Sequence, residues 1–466
     1  MRSRDMKTWG TLGAVWLAMA PMVVLAQQDT SLRRSSAVRP AADSAGVRVP
    51  PDCVRGAAAA GAVSVPERLC LTRREAIDSA LRRNPQLRAV EEQVAQARAR
   101  RVQGTAIPDP AFSLDFNAAT GLFRGPATDK IASALLTIPF PDKFRLRNRI
   151  GRADVQFTET NLTFLKQNIA VQTSQTYDSL LTALRHQRNL EEAKALADDF
   201  LKKTEARYQA GSVARLDVVR ARVDVAGAEN DLIASERDVL NARGSLNRLI
   251  DRPLGAPIAA SDSLGVPPAL PPLEVLESAA LAGRPELEGI ARQREGARAT
   301  TALAREYWLP DFTVGLTHNY AGPGPGNLFS GVSFPIPIFF WQHSKGEIAE
   351  ARHREFELEA SHHDLRAMIG QDVRAAYSAA ATALRQAIFL RDALLPAARE
   401  AYRIASVSYG LGGSSALDVL DARRALRDAE NQYTNALASA NMSRADLERA
   451  AARSLMSFET GGLRND

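Results

Sequence analysis

Apolar residues recur with helical spacing along two very long stretches of the chain. Between Arg152 and Tyr208 there is no proline or glycine, and leucine and isoleucine repeat at intervals of three, four and their sums. These apolar positions are Leu162, Leu165, Ile169, Leu180 and Leu184. The spacing predicts one continuous helix that is roughly 80 Å long at 1.5 Å per residue. A similar stretch runs from Gly346 to Tyr409 and is interrupted by Gly370 and Pro396. Pro396 is expected to kink or locally break the helix.

Four short segments instead alternate apolar and polar residues with the period of a β-strand. In the two clearest strands the apolar positions are Phe112, Leu114, Phe116, Phe312, Val314 and Leu316, and the polar positions are Ser113, Asp115, Asn117, Thr313, Gly315 and Thr317. Weaker return strands at Ile131–Ile138 and Val332–Ile336 complete two hairpins, whose connections Gly121–Pro126 and Gly322–Gly326 are rich in glycine or proline. One apolar and one polar face suits lipid on one side and water on the other. Two hairpins packed on a soluble core would show the same alternation.

The number of strands constrains the assembly if these strands cross a membrane. A strand in lipid cannot leave its edge unpaired, so a membrane sheet must close into a barrel. Barrels made from a single chain begin at about 8 strands. Four strands cannot close a barrel, and the sequence therefore predicts that several chains share one.

Internal similarity divides the chain into two repeats that are offset by 196 to 202 residues. The matching segments are Asn84-Pro85 with Arg284-Pro285, Ile107–Asp109 with Leu309–Asp311, Ile138–Pro141 with Phe334–Pro337, and Tyr208, Gly211 and Leu216–Val218 with Tyr409, Gly412 and Leu417–Val419. We expect repeat 1 at 69–250, a proline-rich linker at 251–272 and repeat 2 at 273–455.

Each repeat is predicted to contain a helix, a β-hairpin and a long helical hairpin. The first helices are expected at Arg73–Gly104 and Leu273–Glu306, with a break at Asn84-Pro85 because a residue before proline disfavours the helix. The β-hairpins are expected at about 111–141 and 311–340, and the helical tips at about 208–218 and 409–419.

The two ends of the chain have a different character from the repeats. Residues 1–26 resemble a secretory signal peptide, because three basic residues precede an apolar stretch that ends in Ala26. A membrane anchor is the alternative, which the polar residues after Ala26 disfavour. We expect an extended segment at 27–68 and a loose tail at 456–466.

Composition and charge exclude several classes of protein. The chain has 466 residues, 45% of them hydrophobic and 6% aromatic, and helix-forming residues dominate long stretches. Its formal net charge of +6 comes from basic residues interspersed with acids, which indicates solvated helices and no nucleic-acid partner. The 2 cysteines exclude a zinc scaffold. In an exported chain Cys53 and Cys70 could form a disulfide, or both could stay reduced.

No catalytic pattern is present in the sequence. There is no glycine-rich phosphate loop, no nucleophile motif and no cluster of metal ligands, so we expect neither an enzyme nor a cofactor. His362 and His363 lie near Glu359, but adjacent histidines on a helix point in different directions, so a metal site is not expected.

The turns of the helical hairpins contain the most specific motif. Gly211 and Gly412 can end the outgoing helices in the left-handed conformation, and Leu-Asp-Val restarts the apolar pattern in both returning helices. Ser212, or Ser414 and Ser415, can cap those returning helices. The long, alanine-rich helices between the turns suit coiled-coil-like packing.

From about residue 69 to 455 the sequence resembles the TolC-type outer-membrane factors of tripartite efflux systems. The specific part is Tyr-x-x-Gly followed six residues later by Asp-Val, once in each repeat. The resemblance implies a mainly α fold, in which antiparallel helical hairpins form an α-barrel tunnel. Four β-strands per chain would contribute to a 12-strand trimeric barrel in the outer membrane. The implied function is a passive exit duct of an efflux or type I secretion system. The implied partners are two further copies, a periplasmic adaptor, an inner-membrane pump and outer-membrane lipid.

The resemblance also implies roles for residues at the tips. Asp418 and Asp421 match paired acids that ring the periplasmic aperture, where repulsion between carboxylates can raise their pKa values. An acid at the start of a helix, favoured by the helix dipole, is the alternative for Asp418. Asp217 and Tyr409 match residues that latch neighbouring hairpins closed. The residues that match adaptor-docking tips are Gly211, Ser212, Gly412 and Gly413.

Two further positions qualify this resemblance. Ser414 stands where some relatives carry a basic residue, and Arg215 and Arg220 are the candidates to replace it. Pro141–Arg147 looks like the barrel-to-tunnel junction of metal-efflux members. A periplasmic coiled-coil adaptor or scaffold is the alternative function, but an adaptor needs no lipid-facing strands. The sequence indicates neither the cargo nor the cognate pump.

Overall fold

The computed structural model describes residues 69–117, 129–320, 325–336 and 340–452. Several predicted features lie outside the described residues: the signal peptide, the extended segment 27–68, Cys53, the connection Gly121–Pro126 and the tail 456–466. The described chain is mainly helical. No described helix carries an apolar stretch long enough to cross a membrane.

Each repeat begins with two helices. A single residue separates them, and the second helix starts with a proline. In repeat 1, strand β1 (Leu69–Leu71) leads into α1 (Arg73–Arg83) and α2 (Pro85–Gly104). Asn84 caps α2 because its side chain accepts the N–H of Gln86 at 2.8 Å, and Pro85 occupies the first helical position, where no N–H is needed. The predicted break at Asn84-Pro85 is therefore confirmed. In repeat 2 the corresponding helices are α5 (Leu273–Gly283) and α6 (Pro285–Arg305), followed by a 3₁₀ turn at Glu306–Trp308.

The first helical hairpin is longer than the sequence pattern predicts. Helix α3 (Pro141–Gln209) has 69 residues, which corresponds to about 100 Å, and α4 (Arg215–Leu249) returns beside it. The helix runs through Gly151, which the sequence analysis treated as a boundary. A Cβ at Gly151 would lie 2.9 Å from the Arg101 Cγ, so glycine permits close packing of α2 on α3 here.

The second hairpin contains one irregular turn. Helix α7 (Phe340–Phe389) continues through a π-helical turn at Leu390–Leu394 into α8 (Leu395–Leu411), and α9 (Ala416–Ala450) returns. Pro396 lacks an N–H and its ring would clash with the carbonyl four residues earlier, so the helix widens just before it. In the widened turn the Leu395 N–H donates to the Leu390 carbonyl. The break predicted at Pro396 is thus confirmed as a local π-turn.

The four predicted strands form one antiparallel sheet. Strands β2 (Ala111–Asn117), β3 (Asp129–Ile138), β5 (Phe312–Tyr320) and β6 (Asn327–Ser333) lie in the order β2-β3-β5-β6, so β3 and β5 join the two repeats. The position predicted for the last strand, Val332–Ile336, was wrong. That strand lies earlier, because Pro335 has no N–H to donate to the ladder.

One face of this sheet is apolar and exposed. The register brings together eleven apolar residues on that face, with Lys130, His318 and Ser330 among them; the apolar residues are Phe112, Leu114, Ala132, Ala134, Leu136, Ile138, Phe312, Val314, Leu316, Leu328 and Val332. Phe112 is 78% exposed and Leu114 is 70% exposed. The opposite face is more polar: it carries Ser113, Asp115, Ser133, Thr137, Thr313 and Thr317, together with the apolar residues Ile131, Leu135 and Phe329. The alternation predicted for these strands is present, and it leaves a large apolar surface uncovered by the described chain.

The proline-rich segment between the repeats is packed against them. It contains β4 (Ile258–Ala260), which pairs with β1 in parallel, and it buries Ile258 and Leu264. The Tyr177 hydroxyl of α3 donates to the Leu71 carbonyl at 2.8 Å. A core between α1, α3, α9 and this two-stranded sheet therefore fixes the middle of the long helices.

Candidate functional site

The turn of the first hairpin, residues 207–218, is called tip 1. Gly211 has a φ of 72°, in the left-handed region. The Gly211 N–H donates to the Tyr208 carbonyl and the Ser212 N–H to the Arg207 carbonyl, both at 2.9 Å, which ends α3 as predicted. The residue before α4 is Ala214, whose side chain cannot cap the helix. The prediction that Ser212 caps α4 was therefore wrong, because it lies too far from the first turn.

The turn of the second hairpin, residues 408–422, is called tip 2. Gly412 has a φ of 87°, and the Gly413 N–H donates to the Ser408 carbonyl at 2.8 Å. Ser415 caps α9, because its hydroxyl accepts the Asp418 N–H at 3.2 Å. The Asp418 carboxylate accepts the Ser415 N–H at 2.8 Å, which completes a capping box. Ser414 does not cap α9; its hydroxyl donates to the Ala405 carbonyl.

The two predicted aperture acids share one exposed stripe of α9. The exposed positions of this stripe are Asp418, Asp421, Arg424, Ala425, Asp428, Gln432, Asn435 and Ser439. Asp421 lies 3.6 Å from Arg424 of the same helix. The backbone N–H and hydroxyl of Ser415 hold the pKa of Asp418 below its usual value. Within the chain this shift is opposite to the one expected from a carboxylate ring.

The predicted latch residues have different partners within the chain. Asp217 is half-buried, and its carboxylate lies 3.7 Å from Arg220. Tyr409 is only 3% exposed; its hydroxyl donates to the Thr204 hydroxyl at 3.3 Å, and its ring centroid lies 5.3 Å from that of Phe200. Among the described residues, Asp217 and Tyr409 form no hydrogen bond or ion pair with each other. Their role as a latch stays a prediction.

Two arginines outside the predicted site residues join the hairpins. The Arg207 guanidinium lies over the Tyr409 ring, 4.5 Å from its centroid, and donates to the Tyr409 carbonyl. Arg423 of α9 is buried, donates to the Ala193 carbonyl at 3.1 Å and pairs with Asp224 of α4. Burial, and next the charges of neighbouring arginines, lower the pKa of Arg423 to about 10. The sequence does contain one signal for the burial of Arg423, because this arginine occupies a position in the apolar pattern of α9.

The remaining predicted residues lie apart from these contacts. All four docking candidates, Gly211, Ser212, Gly412 and Gly413, are exposed at the two turns. Cys70 is partly buried in β1, and its pairing with Cys53 stays a prediction because Cys53 lies outside the described residues. The described residues contain no group of three or more histidine, cysteine or acidic side chains that could hold a metal ion.

The sequence and the fold are similar to those of known proteins. The pattern of the family described as outer membrane efflux protein matches residues 76–251 and 276–453. The cobalt-zinc-cadmium resistance protein CzcC of Cupriavidus metallidurans is 23% identical over 389 residues, covering 82% of this chain and 90% of CzcC.

Two solved structures share the fold. The outer membrane protein VceC of Vibrio cholerae has a TM-score of 0.68 at 16% identity, covering 82% of this chain and 96% of VceC. The MtrE outer membrane channel of Neisseria gonorrhoeae, solved in an open state, has a TM-score of 0.62 at 24% identity, covering 82% and 89%. The predicted fold class and the predicted family are thereby confirmed. Because the matched segments include most of both repeats, the chain belongs to the outer membrane efflux protein family.

Proposed function

We propose that three copies of this chain form a passive exit duct in the outer membrane. An adaptor and an inner-membrane pump would deliver cargo to its periplasmic end. The observation that carries the proposal is the exposed apolar face of the four-stranded sheet. A face of this kind suits lipid, and its more polar reverse suits a water-filled interior.

The edges of the sheet support a shared barrel. Strands β2 and β6 form the two outer edges of the sheet in one chain. Lipid cannot satisfy the backbone groups of an open edge, so β6 of one copy would pair with β2 of the next. Three copies of four strands would then close a barrel of twelve.

Exposed apolar positions on the two outer helices support the same arrangement in the periplasm. On α4, Leu216, Val219 and Val223 are exposed at spacings of three and four residues. On α8, Ile404, Val407 and Leu411 are exposed with the same spacing. This is the spacing of a coiled-coil seam, so α4 of one copy would pack against α8 of the next.

The tips would form the gated periplasmic end of the duct. We propose that Asp418 and Asp421 face the aperture, since both are exposed on one stripe of α9. Gly211, Ser212, Gly412 and Gly413 would meet the adaptor, because they are the exposed ends of both hairpins. CzcC is named for resistance to cobalt, zinc and cadmium, and an acidic aperture would admit such cations, so we propose divalent metal ions as the first cargo to test.

Planar-bilayer recording of the purified protein tests this function. Wild type should form discrete channels with a preference for cations. Asp418→Ala combined with Asp421→Ala should raise single-channel conductance and lower that preference, because a ring of carboxylates would no longer attract and retain cations at the narrowest point. Zinc, cobalt and cadmium belong among the permeant ions in these recordings.

A matched control removes the same charge elsewhere on the hairpins. Asp198→Ala with Asp199→Ala changes two acids of α3 that pair with lysines of the same helix, and conductance should stay at the wild-type value. Unchanged conductance and selectivity in the aperture variant would refute the assignment of Asp418 and Asp421. A protein recovered from the soluble periplasm that forms no channels would refute the duct.

A further inference from the structure

The apolar face of the sheet changes character at the end that lies farthest from the helices. Next to α3, Ile138 pairs with Phe312, and at the far end Lys130 pairs with Tyr320. Lys130 is exposed, and His318 lies two positions before Tyr320 on β5. Among the described residues these are the basic groups of a face that is otherwise uncharged. The charge is therefore confined to one end of the apolar face, which is called the basic end.

The length of the face places the basic end at the boundary of a membrane. Lys130 and Ile138 are 8 positions apart in β3, which corresponds to about 27 Å along a strand. At a barrel tilt of about 40° this covers about 21 Å of bilayer, close to the usual apolar band of about 25 Å. At the other boundary the Phe312 ring centroid lies 6.4 Å from that of Phe140 and 6.3 Å from that of Phe334. Aromatic clusters of this kind mark a lipid–water interface, so Lys130 lies at the opposite interface.

The two basic residues are diagonal neighbours within one chain. Because Lys130 pairs with Tyr320, and His318 lies two positions earlier, they occupy adjacent strands of the same face. Diagonal neighbours are about 7–8 Å apart, and the long stem of a lysine lets its ammonium group extend toward lipid headgroups. The His318 ring packs against Tyr320, with 4.0 Å between the ring centroids. One chain therefore supplies both groups at a spacing that a single phosphate can bridge.

The chain supplies no obvious acidic partner for the basic end. The connections 118–128 and 321–326, which follow this end of the strands in sequence, contain Arg124 but no aspartate or glutamate. In the part of the chain that the structure describes, neither Lys130 nor His318 forms an ion pair. Asp115 is in register with Ile131, so it belongs to the opposite face of the sheet. A negatively charged partner is therefore expected from outside the chain.

We propose that Lys130 and His318 bind a phosphate group of an anionic lipid in the outer leaflet of the outer membrane. The inference rests on the proposed function, which puts the helices in the periplasm and the basic end at the outer surface. The phosphorylated glycolipids of that leaflet carry the negative charge that this end lacks, and basic groups at an interface attract anionic headgroups. Three copies carry three such sites around the barrel. The bound lipids hold the barrel at a fixed depth in the membrane.

Native mass spectrometry of the purified protein tests this site. The probes are lipid A and the same glycolipid with its phosphates removed by a phosphatase, added at equal concentrations. Wild type should retain the phosphorylated form in preference to the other. Lys130→Gln with His318→Gln should lower this preference by about fivefold, the effect expected for loss of a cation beside an anionic lipid surface. An unchanged preference in this variant would overturn the proposal.

Matched substitutions separate a local site from an effect of overall charge. Lys166→Gln with His363→Gln changes the same two residue types at exposed positions of α3 and α7, and the preference should stay at the wild-type value. Lys130→Arg keeps the charge and should keep the preference. Asp115→Asn removes a charge from the opposite face and should also leave the preference unchanged. An equal loss in the helix variant would show that overall charge selects the lipid, which contradicts the site.

Two further measurements separate the possible sources of the phosphate and the underlying assumption. Inorganic phosphate at the concentration of the lipid should leave the lipid bound, and displacement would refute the assignment to a lipid headgroup. Planar-bilayer recording should give channels for the double variant, and if it gives none, Lys130→Gln alone should show part of the loss. An unchanged preference in that single variant would then overturn the site. A wild-type protein without channels refutes the proposed function, whereas a channel-forming wild type that retains both lipids equally refutes this inference alone.

Discussion

Two tyrosines occupy equivalent places in the two tips but have opposite environments. Tyr208 is 44% exposed, whereas Tyr409, 201 positions later, is 3% exposed and packs on Phe200. The difference comes from the neighbours of each helix, since α8 places this tyrosine against the other hairpin of the same chain. The comparison shows that a repeated motif preserves the turn without preserving the role of each side chain.

The residues before the returning helices differ in the same way. Ala214 and Ser415 are also 201 positions apart, and Asp217 and Asp418 each lie three residues after them. The Ser415 hydroxyl engages Asp418 in a capping box, whereas Ala214 offers no hydroxyl and Asp217 lies beside Arg220. Asp217 and Asp418 belong to the same motif, but the hydroxyl group present only in tip 2 gives Asp418 a different partner.

Replacing the tyrosines should give the largest difference between the tips. Tyr409→Ala should destabilise the folded chain by about 3 kcal/mol, because it leaves a cavity beside Phe200. Tyr208→Ala should change stability by no more than about 0.5 kcal/mol, because that side chain is half exposed. Thermal unfolding of the purified proteins measures both. Equal effects of the two substitutions would contradict the different environments of the tyrosines.

Removing the cap of tip 2 should have a smaller and more local effect. Ser415→Ala should destabilise the start of α9 by about 1 kcal/mol, which corresponds to roughly fivefold faster amide exchange over its first turn. The lowered pKa of Asp418 means that the carboxylate half of the capping box is complete at neutral pH and is lost as the pH falls through that pKa. The Ser415 hydroxyl still accepts the Asp418 N–H in acid, so the variant should stay less stable than wild type at low pH. Ser414→Ala is the control, since Ser414 does not contact the helix start.

Adding a cap to tip 1 should have the smallest effect. Ala214→Ser should stabilise the start of α4 by about 0.5 kcal/mol, because the new hydroxyl lies three residues before Asp217 and can complete a capping box. Amide exchange over residues 215–218 should slow by roughly twofold. Unchanged exchange would show that the backbone of tip 1 differs from that of tip 2 by more than the missing hydroxyl.

Local patterns in the sequence predict much of this fold. Helical periodicity, the alternating strands and the Asn84-Pro85 break depend on neighbours in sequence, and each appears in the structure. The start of α3 was missed because Gly151 weakens a helix in isolation, whereas here it admits α2. The last strand was placed too late, because the proline that ends it was included.

The contacts between the hairpins could not be predicted in the same way. Arg207 and Tyr409 are 202 residues apart, and Arg423 and Ala193 are 230 apart. Neither contact follows from a local pattern in the sequence. An arginine that joins two hairpins cannot be distinguished in the sequence from an arginine on the surface. The turns could be predicted from the sequence, whereas the residues that each turn contacts in the other hairpin depend on how α3 lies against α9.

The π-helical turn before Pro396 has a consequence for tip 2. This turn holds one residue more than a regular α-helical turn. The side chains after it are therefore rotated about the helix axis by about 100° relative to an uninterrupted helix. This change of phase sets the side of α8 on which Tyr409 emerges. Deleting a single residue between Leu390 and Leu394 would leave the composition of tip 2 intact and turn Tyr409 away from Arg207. The helical turn next to Pro396, more than a dozen residues before Tyr409, thus decides whether Tyr409 faces Arg207.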